Sequence, residues 1–278
     1  MPLSSEEIAK LKEIARQVRK DIIVETHAAG SGHPGGSLSS TDLATVLYFR
    51  YLRHRPHDPG WAGRDRVFWS KGHCSPVIYS VLARSGYFSP DLLPTFRKLG
   101  SPLQGHPARV KTPGVETNGG SLGQGLSVAV GFALGVRMSG SEARAYAFLG
   151  DGEIQEGQIW EAAMAAAHYQ VDNLTAILDY NDLQIDGFVH DIMEVQPVAE
   201  KWRAFGWHVI DIDGHDYAEI GAALDEALAT KGRPTLVLAH TVKGRGVSFM
   251  ENVCEWHGQA PNDEQAAQAL KEIEEAVL

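Results

Sequence analysis

Apolar residues recur at Ile8, Leu11, Ile14, Val18 and Ile22, a spacing that puts them on one buried face of an opening helix. Ser4 and Glu7 can form a capping box at its start, and the helix should stop near Gly30. The segment GSGHPGGSLSS that follows reads as a loop rich in glycine and serine. Thr41 or Asp42 then caps a second helix carrying Leu43, Val46, Leu47 and Tyr51. RVFWS, residues 66–70, reads as a short strand, PVIYSVLARSG as a helix ending at Gly86, and SPDLLPTFRKLG as another short helix. Residues 101–121 have no periodicity and hold three prolines, which predicts a long loop of the kind usually kept for function.

In LGQGLSVAVGFALGVRM the small residues Gly125, Ala129 and Ala133 fall four apart, predicting a buried helix in close contact with its neighbours. Strands are expected at AYAFLG, LTAILDYN, WHVIDIDG and TLVLAH, with helices at about 156–169, 197–205 and 216–230 and a tail helix in NDEQAAQALKEIEEAVL. Strands that alternate with helices and run almost wholly apolar predict an α/β fold, a parallel sheet covered by helices on both faces. With no repeat and no linker in view, residues 1–278 are expected to form one domain.

Composition narrows the function classes. The chain has 278 residues, 44% hydrophobic, enough for a sizeable core. A net charge of -10 without a long Lys/Arg run gives no footprint for nucleic acid or an anionic membrane. Neither a secretory leader nor a run of about 18 apolar residues is present, and Cys74 and Cys254 lie far apart without metal-ligand spacing. A cytoplasmic protein is the expectation.

The candidate chemistry starts where AYAFLG runs into Gly150-Asp151-Gly152. Ligands of an open parallel sheet gather at the carboxyl ends of its strands, where helix N-termini favour anions. A carboxylate aimed at an anion there makes sense with a metal between them. Asn181, at the end of the next strand about thirty residues on, could add an amide oxygen and Leu183 a backbone carbonyl. With two diphosphate oxygens and a water, these hard oxygen donors would complete an octahedral magnesium shell. Alone, Gly-Asp-Gly reads as an ordinary turn with a capping aspartate; Asn181 after a second strand turns the reading toward metal and diphosphate.

Of 12 histidines, four stand in loops beside glycine or proline: His33 in SGHPGG, His73 in SKGHCSP, His106 in QGHPA and His257 in EWHGQAP. Their spacing fits no zinc pattern. Neutral imidazoles can donate to phosphate and sugar oxygens and move protons near neutral pH.

The ordered set SGHPGG, RDRVFWSKGH, GHP, GGSLGQG, GDGEIQEG, DYNDLQIDG, DGHD, TVKGRGVSFME and WHG resembles the N-terminal, diphosphate-binding domain of transketolase, from the first helix to about residue 261. The resemblance implies a thiamine diphosphate-binding fold and two-carbon ketol transfer between sugar phosphates, as in pentose phosphate metabolism. Matched residue by residue, it implies that Asp151, Asn181 and the Leu183 carbonyl hold Mg2+, or another divalent cation such as Ca2+ or Mn2+. Gly150 and Gly152 would lie close to the diphosphate, Ile185 against the thiazolium ring, and the backbone of Gly120 and Leu122 at the aminopyrimidine. His33, His73, His106 and His257 would contact cofactor and sugar, Glu156 and Glu161 would couple paired active sites across a subunit interface, and residues 243–250 would form a mobile loop over the cofactor.

In this family the cofactor-activating glutamate, the pyrimidine pocket and the arginines for sugar phosphate belong to further domains that this sequence does not contain. A separate C-terminal subunit is therefore expected, two copies of each chain forming a heterotetramer. Three alternatives stay open: a split enzyme for a branched or sulfonated sugar, the alpha subunit of a 2-oxo acid dehydrogenase or decarboxylase, and a regulatory cofactor-binding subunit.

Overall fold

The computed structural model describes residues 2–276. Five parallel strands, β1 (Arg66–Trp69), β2 (Ala145–Gly150), β3 (Leu174–Tyr180), β4 (His208–Asp213) and β5 (Thr235–His240), lie in the order β1-β2-β3-β5-β4. In register, Gly150 stands beside Asp179 and Tyr180 beside His240, so the exits of the central strands meet at one edge.

Alternation along each strand fills two cores. Tyr146, Phe148, Ile177 and Val237 face one layer, made by α1 (Ser5–Ala29), α2 (Pro34–Ser39), α3 (Thr41–Val46), α4 (Ser75–Ser85), α9 (Tyr217–Ala229) and α10 (Asp263–Glu275). Ala145, Ala147, Leu149, Ala176, Leu178, Leu236 and Leu238 face the other, made by α5 (Gln124–Met138), α6 (Gly157–His168) and α8 (Val198–Ala204). The short α7 (Val189–Ile192) follows β3. Burial on both faces explains why β2, β3 and β5 read as near-continuous apolar runs, whereas the edge strand β4 is only partly buried and alternates with Asp211 and Asp213.

The expected capping box is present, with Glu7 N donating to Ser4 Oγ at 3.2 Å and Ser4 N to Glu7 Oε2 at 2.9 Å, and α1 ends at Gly30. A second box, Asn262 with Gln265, opens the tail helix; the last residues of the expected tail, Val277 and Leu278, lie outside the described residues.

Three readings are corrected. GSGHPGGSLSS is not all loop: Pro34 opens α2, and Ser37 Oγ returns to His33 O at 2.7 Å. Asp42 caps nothing; it sits inside α3, in a buried ion pair with Arg19. In SPDLLPTFRKLG, Pro94 limits the turn to a 3-10 segment, Pro90–Thr95.

The close contact expected of Gly125, Ala129 and Ala133 is real, all three being buried. A Cβ on Gly125 would lie 2.6 Å from Ser70 Cα, whereas one on Gly135, on the outer face of the same helix, meets nothing within 4 Å. Gly125→Ala should therefore cost about 1–3 kcal/mol by pushing α5 off the β1 exit. Gly135→Ala should gain up to about 1 kcal/mol of helix propensity. Urea denaturation of the two variants checks the contrast, and equal midpoints would refute it.

Candidate cofactor site

The exits of β1, β2, β3 and β5 open into a cleft of about 410 Å³. His33, His73, His106, His257, Gly120, Leu122, Gly150, Asp151, Gly152, Glu156, Asn181, Leu183 and Ile185 all line it. Among the residues expected at the site, Glu161 does not; it is exposed, farther along α6. Glu156, also exposed, precedes α6 at the cleft. The segment 243–250, expected as a mobile loop, is packed down with Val247 and Met250 fully buried.

Asp151 is held by backbone alone. Its Oδ1 accepts from Gly152 N at 2.7 Å, and its Oδ2 from Asn181 N at 2.9 Å and Asp182 N at 2.5 Å. Asn181 Oδ1 accepts from Leu183 N at 3.2 Å. Asp151 Oδ1 and Asn181 Oδ1, with one donor each, keep a further acceptor position, whereas Asp151 Oδ2 already takes two donors. Burial, with Asp179 nearby, pushes the Asp151 carboxyl up from its ordinary 3.8 to about 6. Among the described residues no group of three or more His, Cys, Asp or Glu could hold a metal, so a cation here would depend on amide and carbonyl oxygens beside one carboxylate.

The four histidines form one cluster. Ring centroids lie 5.3 Å apart for His33 and His73, 5.5 Å for His33 and His257, 5.1 Å for His73 and His257, and 6.4 Å for His33 and His106. Burial, reinforced by Arg97, His106 and Lys243, lowers His33 to about 4. Burial and Lys243 lower His257 to about 3, burial and His257 hold His73 well below its ordinary value, and burial and Arg97 lower His106. All four are neutral near pH 7. Lys243 Nζ lies 2.9 Å from His257 Nδ1, which therefore accepts, so the ring proton sits on Nε2.

Sequence reasoning missed three buried charges. Lys71, after β1, binds Asp179 and the Gly36 carbonyl; burial opposes its charge, but Asp179 more than offsets this and raises it to about 12. Lys243 Nζ donates to Leu183 O at 2.8 Å, and burial lowers its pKa. Glu153 joins three cleft elements, accepting from Ser70 Oγ, from Gly123 N at 2.9 Å and from Gly150 N at 3.1 Å. SKGH and TVKGRG, each with a lysine beside glycine, carried the available signal. Two buried polar atoms at the cleft have no partner, His33 Nδ1 and Gln184 Nε2. Polar nitrogens without partners beside hard oxygen acceptors suit a phosphorylated ligand with its cation.

A cleft of this kind at the carboxyl ends of a parallel sheet defines an α/β cofactor-binding domain. The family model for the transketolase, thiamine diphosphate binding domain matches residues 10–274, and the chain belongs to that family. It is 44% identical to the 6-deoxy-6-sulfo-D-fructose transketolase subunit of Clostridium sp. (strain MSTE9) over 97% of this chain and 98% of that one. It is 42% identical to an apulose-4-phosphate transketolase subunit of Actinobacillus succinogenes over 98% of both. The solved transketolase of Leishmania mexicana superposes with a TM-score of 0.89 at 32% identity, covering 95% of this chain and 41% of that one. The chain thus spans nearly all of the two subunits and less than half of the Leishmania chain.

The raised Asp151 carboxyl has a sign that can be measured. Folded Asp151 holds its proton more tightly than the unfolded chain does, so its stabilising contribution is complete below pH 3.8 and is lost as pH rises through about 6. Carbon-13 NMR of the metal-free chain should show the Asp151 carboxyl titrating at about 6. A midpoint at the ordinary 3.8 would refute burial as the cause.

Proposed function

We propose that this chain is the diphosphate- and metal-binding half of a transketolase. The reaction moves a two-carbon glycolaldehyde unit from a ketose phosphate to an aldose phosphate, as in the pentose phosphate interconversions, and requires a C-terminal partner subunit. The observation that carries this reading is the convergence of Asp151, Asn181 and the Leu183 carbonyl with four neutral histidines in one cleft. Bound thiamine diphosphate would supply the carbanion sink.

The protein's own residues do the rest. Asp151, Asn181 and Leu183 present hard oxygens to Mg2+, or to Ca2+ or Mn2+, and the cation offsets the cost of keeping Asp151 ionised. Lys243, which lines the cleft and rests on the Leu183 carbonyl, would supply a cation to the diphosphate. His73 and His257 serve cofactor oxygens, while His33 and His106 hydrogen-bond sugar hydroxyls and carbonyl and move protons between them. Neutral rings can both donate and accept, which an imidazolium cannot. Ile185 and Leu122, apolar and exposed at the cleft, offer surfaces to the cofactor rings. Glu156 and Glu161 are assigned to coupling between paired sites.

The assembly is read as a heterotetramer of two copies of each subunit, in the cytoplasm, where its two free cysteines stay reduced. A non-standard sugar is the second reading, favoured because two relatives matched over nearly their full length are named for a sulfonated sugar and for apulose 4-phosphate. The histidine cluster weighs against a 2-oxo acid dehydrogenase or decarboxylase subunit, which has no sugar hydroxyls to bind.

Two experiments test the proposal. Asp151→Ala should keep the circular dichroism spectrum and weaken magnesium-dependent thiamine diphosphate binding by about 100-fold in calorimetry with the partner present. Unchanged affinity would reject the ligand set. Ketol transfer from xylulose 5-phosphate, 6-deoxy-6-sulfo-fructose and apulose 4-phosphate should appear only when both subunits are mixed. Full turnover by this chain alone would sink the split-enzyme reading, and no turnover on any donor with the partner present would favour a regulatory role.

A further inference from the structure

After β5 the chain makes a β-turn from Val242 to Arg245, closed by Arg245 N donating to Val242 O at 3.2 Å. Gly244 holds the third position at φ +80°, as a type II turn requires, and a Cβ there would lie 2.3 Å from Met250 O. Lys243 holds the second position and reaches into the cleft, to Leu183 O and His257 Nδ1. A lysine stem is flexible, so where its ammonium rests depends on the backbone that carries it.

Both ends of this turn are tied to one buried carboxylate. At the first end, Val242 N donates to His215 Nε2 at 2.9 Å. That nitrogen is an acceptor, so the ring proton sits on Nδ1, 2.8 Å from Asp42 Oδ2, and is donated to it. At the other end Arg19, fully buried, donates through Nε to Arg245 O at 3.2 Å. Its Nη1 and Nη2 grip Asp42 Oδ1 and Oδ2 at 3.0 and 2.7 Å, a bidentate pair of fixed geometry. Tyr217 Oη donates to Asp42 Oδ1 at 2.6 Å. Arg19, Asp42, His215 and Tyr217 come from α1, α3, the turn after β4 and α9, and none of them lines the cleft.

We propose that Asp42 is a positioning residue for the cofactor cleft: through His215 at one end and Arg19 at the other, it fixes the turn that aims Lys243 at the diphosphate position. That Lys243 serves a diphosphate rests on the proposed function; that Asp42 anchors the turn does not. The histidine is the residue to vary, because Asp42→Asn would leave the buried Arg19 half-paired and endanger the fold.

His215→Leu removes both histidine bonds, and His215→Gln restores one donor and one acceptor. The full chain without cofactor is treated with acetic anhydride, and acetylation is read by mass spectrometry at Lys243 and at Lys71, both almost fully buried. In His215→Leu, acetylation of Lys243 should rise about tenfold while Lys71 stays protected, and His215→Gln should return Lys243 toward wild type. With magnesium and the partner subunit present, thiamine diphosphate affinity should fall about tenfold in His215→Leu and recover in His215→Gln. Unchanged Lys243 protection, or Lys71 losing protection together with Lys243, would overturn the proposal, the second because it marks general unfolding. Exposed Lys243 with unchanged affinity would overturn the link to the cofactor. A wild-type assembly that binds no thiamine diphosphate, with acetylation behaving as expected, would sink the functional reading and leave the anchor standing.

Discussion

Asp179, with no solvent exposure at the exit of β3, ties the ends of the sheet together. Its carboxylate takes Lys71 from β1's exit, Ser39 and Ser40 at 2.6 and 2.8 Å from α2 and its end, and Thr241 from β5's exit. Burial opposes its ionisation, yet Lys71 and the hydroxyls hold the carboxyl below its ordinary range. A buried ion pair contributes little net stability over an apolar replacement, but losing one partner of such a pair costs about 3–5 kcal/mol. The strand ends and α2 are therefore locked to each other, and with them His33, which immediately precedes α2.

The same pair sets the electrostatics of the cleft. Asp179 raises the neighbouring Asp151 carboxyl, while Lys71 and Lys243 help keep His73, His33 and His257 neutral. Burial and Asp179 make a negative charge on Asp151 costly even though backbone amides donate to it, and the rings around it are held uncharged by burial together with the cations already in place. On the proposed reading, a divalent cation held by Asp151 would lower the first cost and leave the second arrangement intact.

The sheet was legible in the sequence because β2, β3 and β5 are buried on both faces and announced themselves as apolar runs between turns, while the edge strand β4 showed itself by alternation, as HVIDID. The Gly-Asp-Gly exit, Asn181 and the loop histidines were legible as local motifs, and read together in order they name a family more firmly than any one does alone. What stayed hidden is held by distant partners. Pro34–Ser39 looks like a loop because glycine and serine are poor helix formers; Ser39 and the adjoining Ser40 reach Asp179 about 140 positions away, and that contact outweighs propensity. Arg19 follows Val18 in α1 and gives no sign of complete burial until Asp42 is placed against it. Lys71, Lys243 and Glu153 likewise look like ordinary surface charges until the strand exits converge.

Beside this polar floor the rim is apolar. Ile185 is 67% exposed, and Phe188, Ile192 and Met193 from the adjoining segment are exposed as well. Apolar side chains collected next to a cleft, rather than scattered singly, mark a surface that something covers. On the proposed reading the diphosphate and its cation sit on the polar floor, and the cofactor rings with the partner subunit bury the rim. Rim and floor then divide the work. The floor is fixed by ion pairs inside this chain and sets where charge is held; on the proposed reading the rim, completed by the partner subunit, would set when water is excluded and which sugar enters.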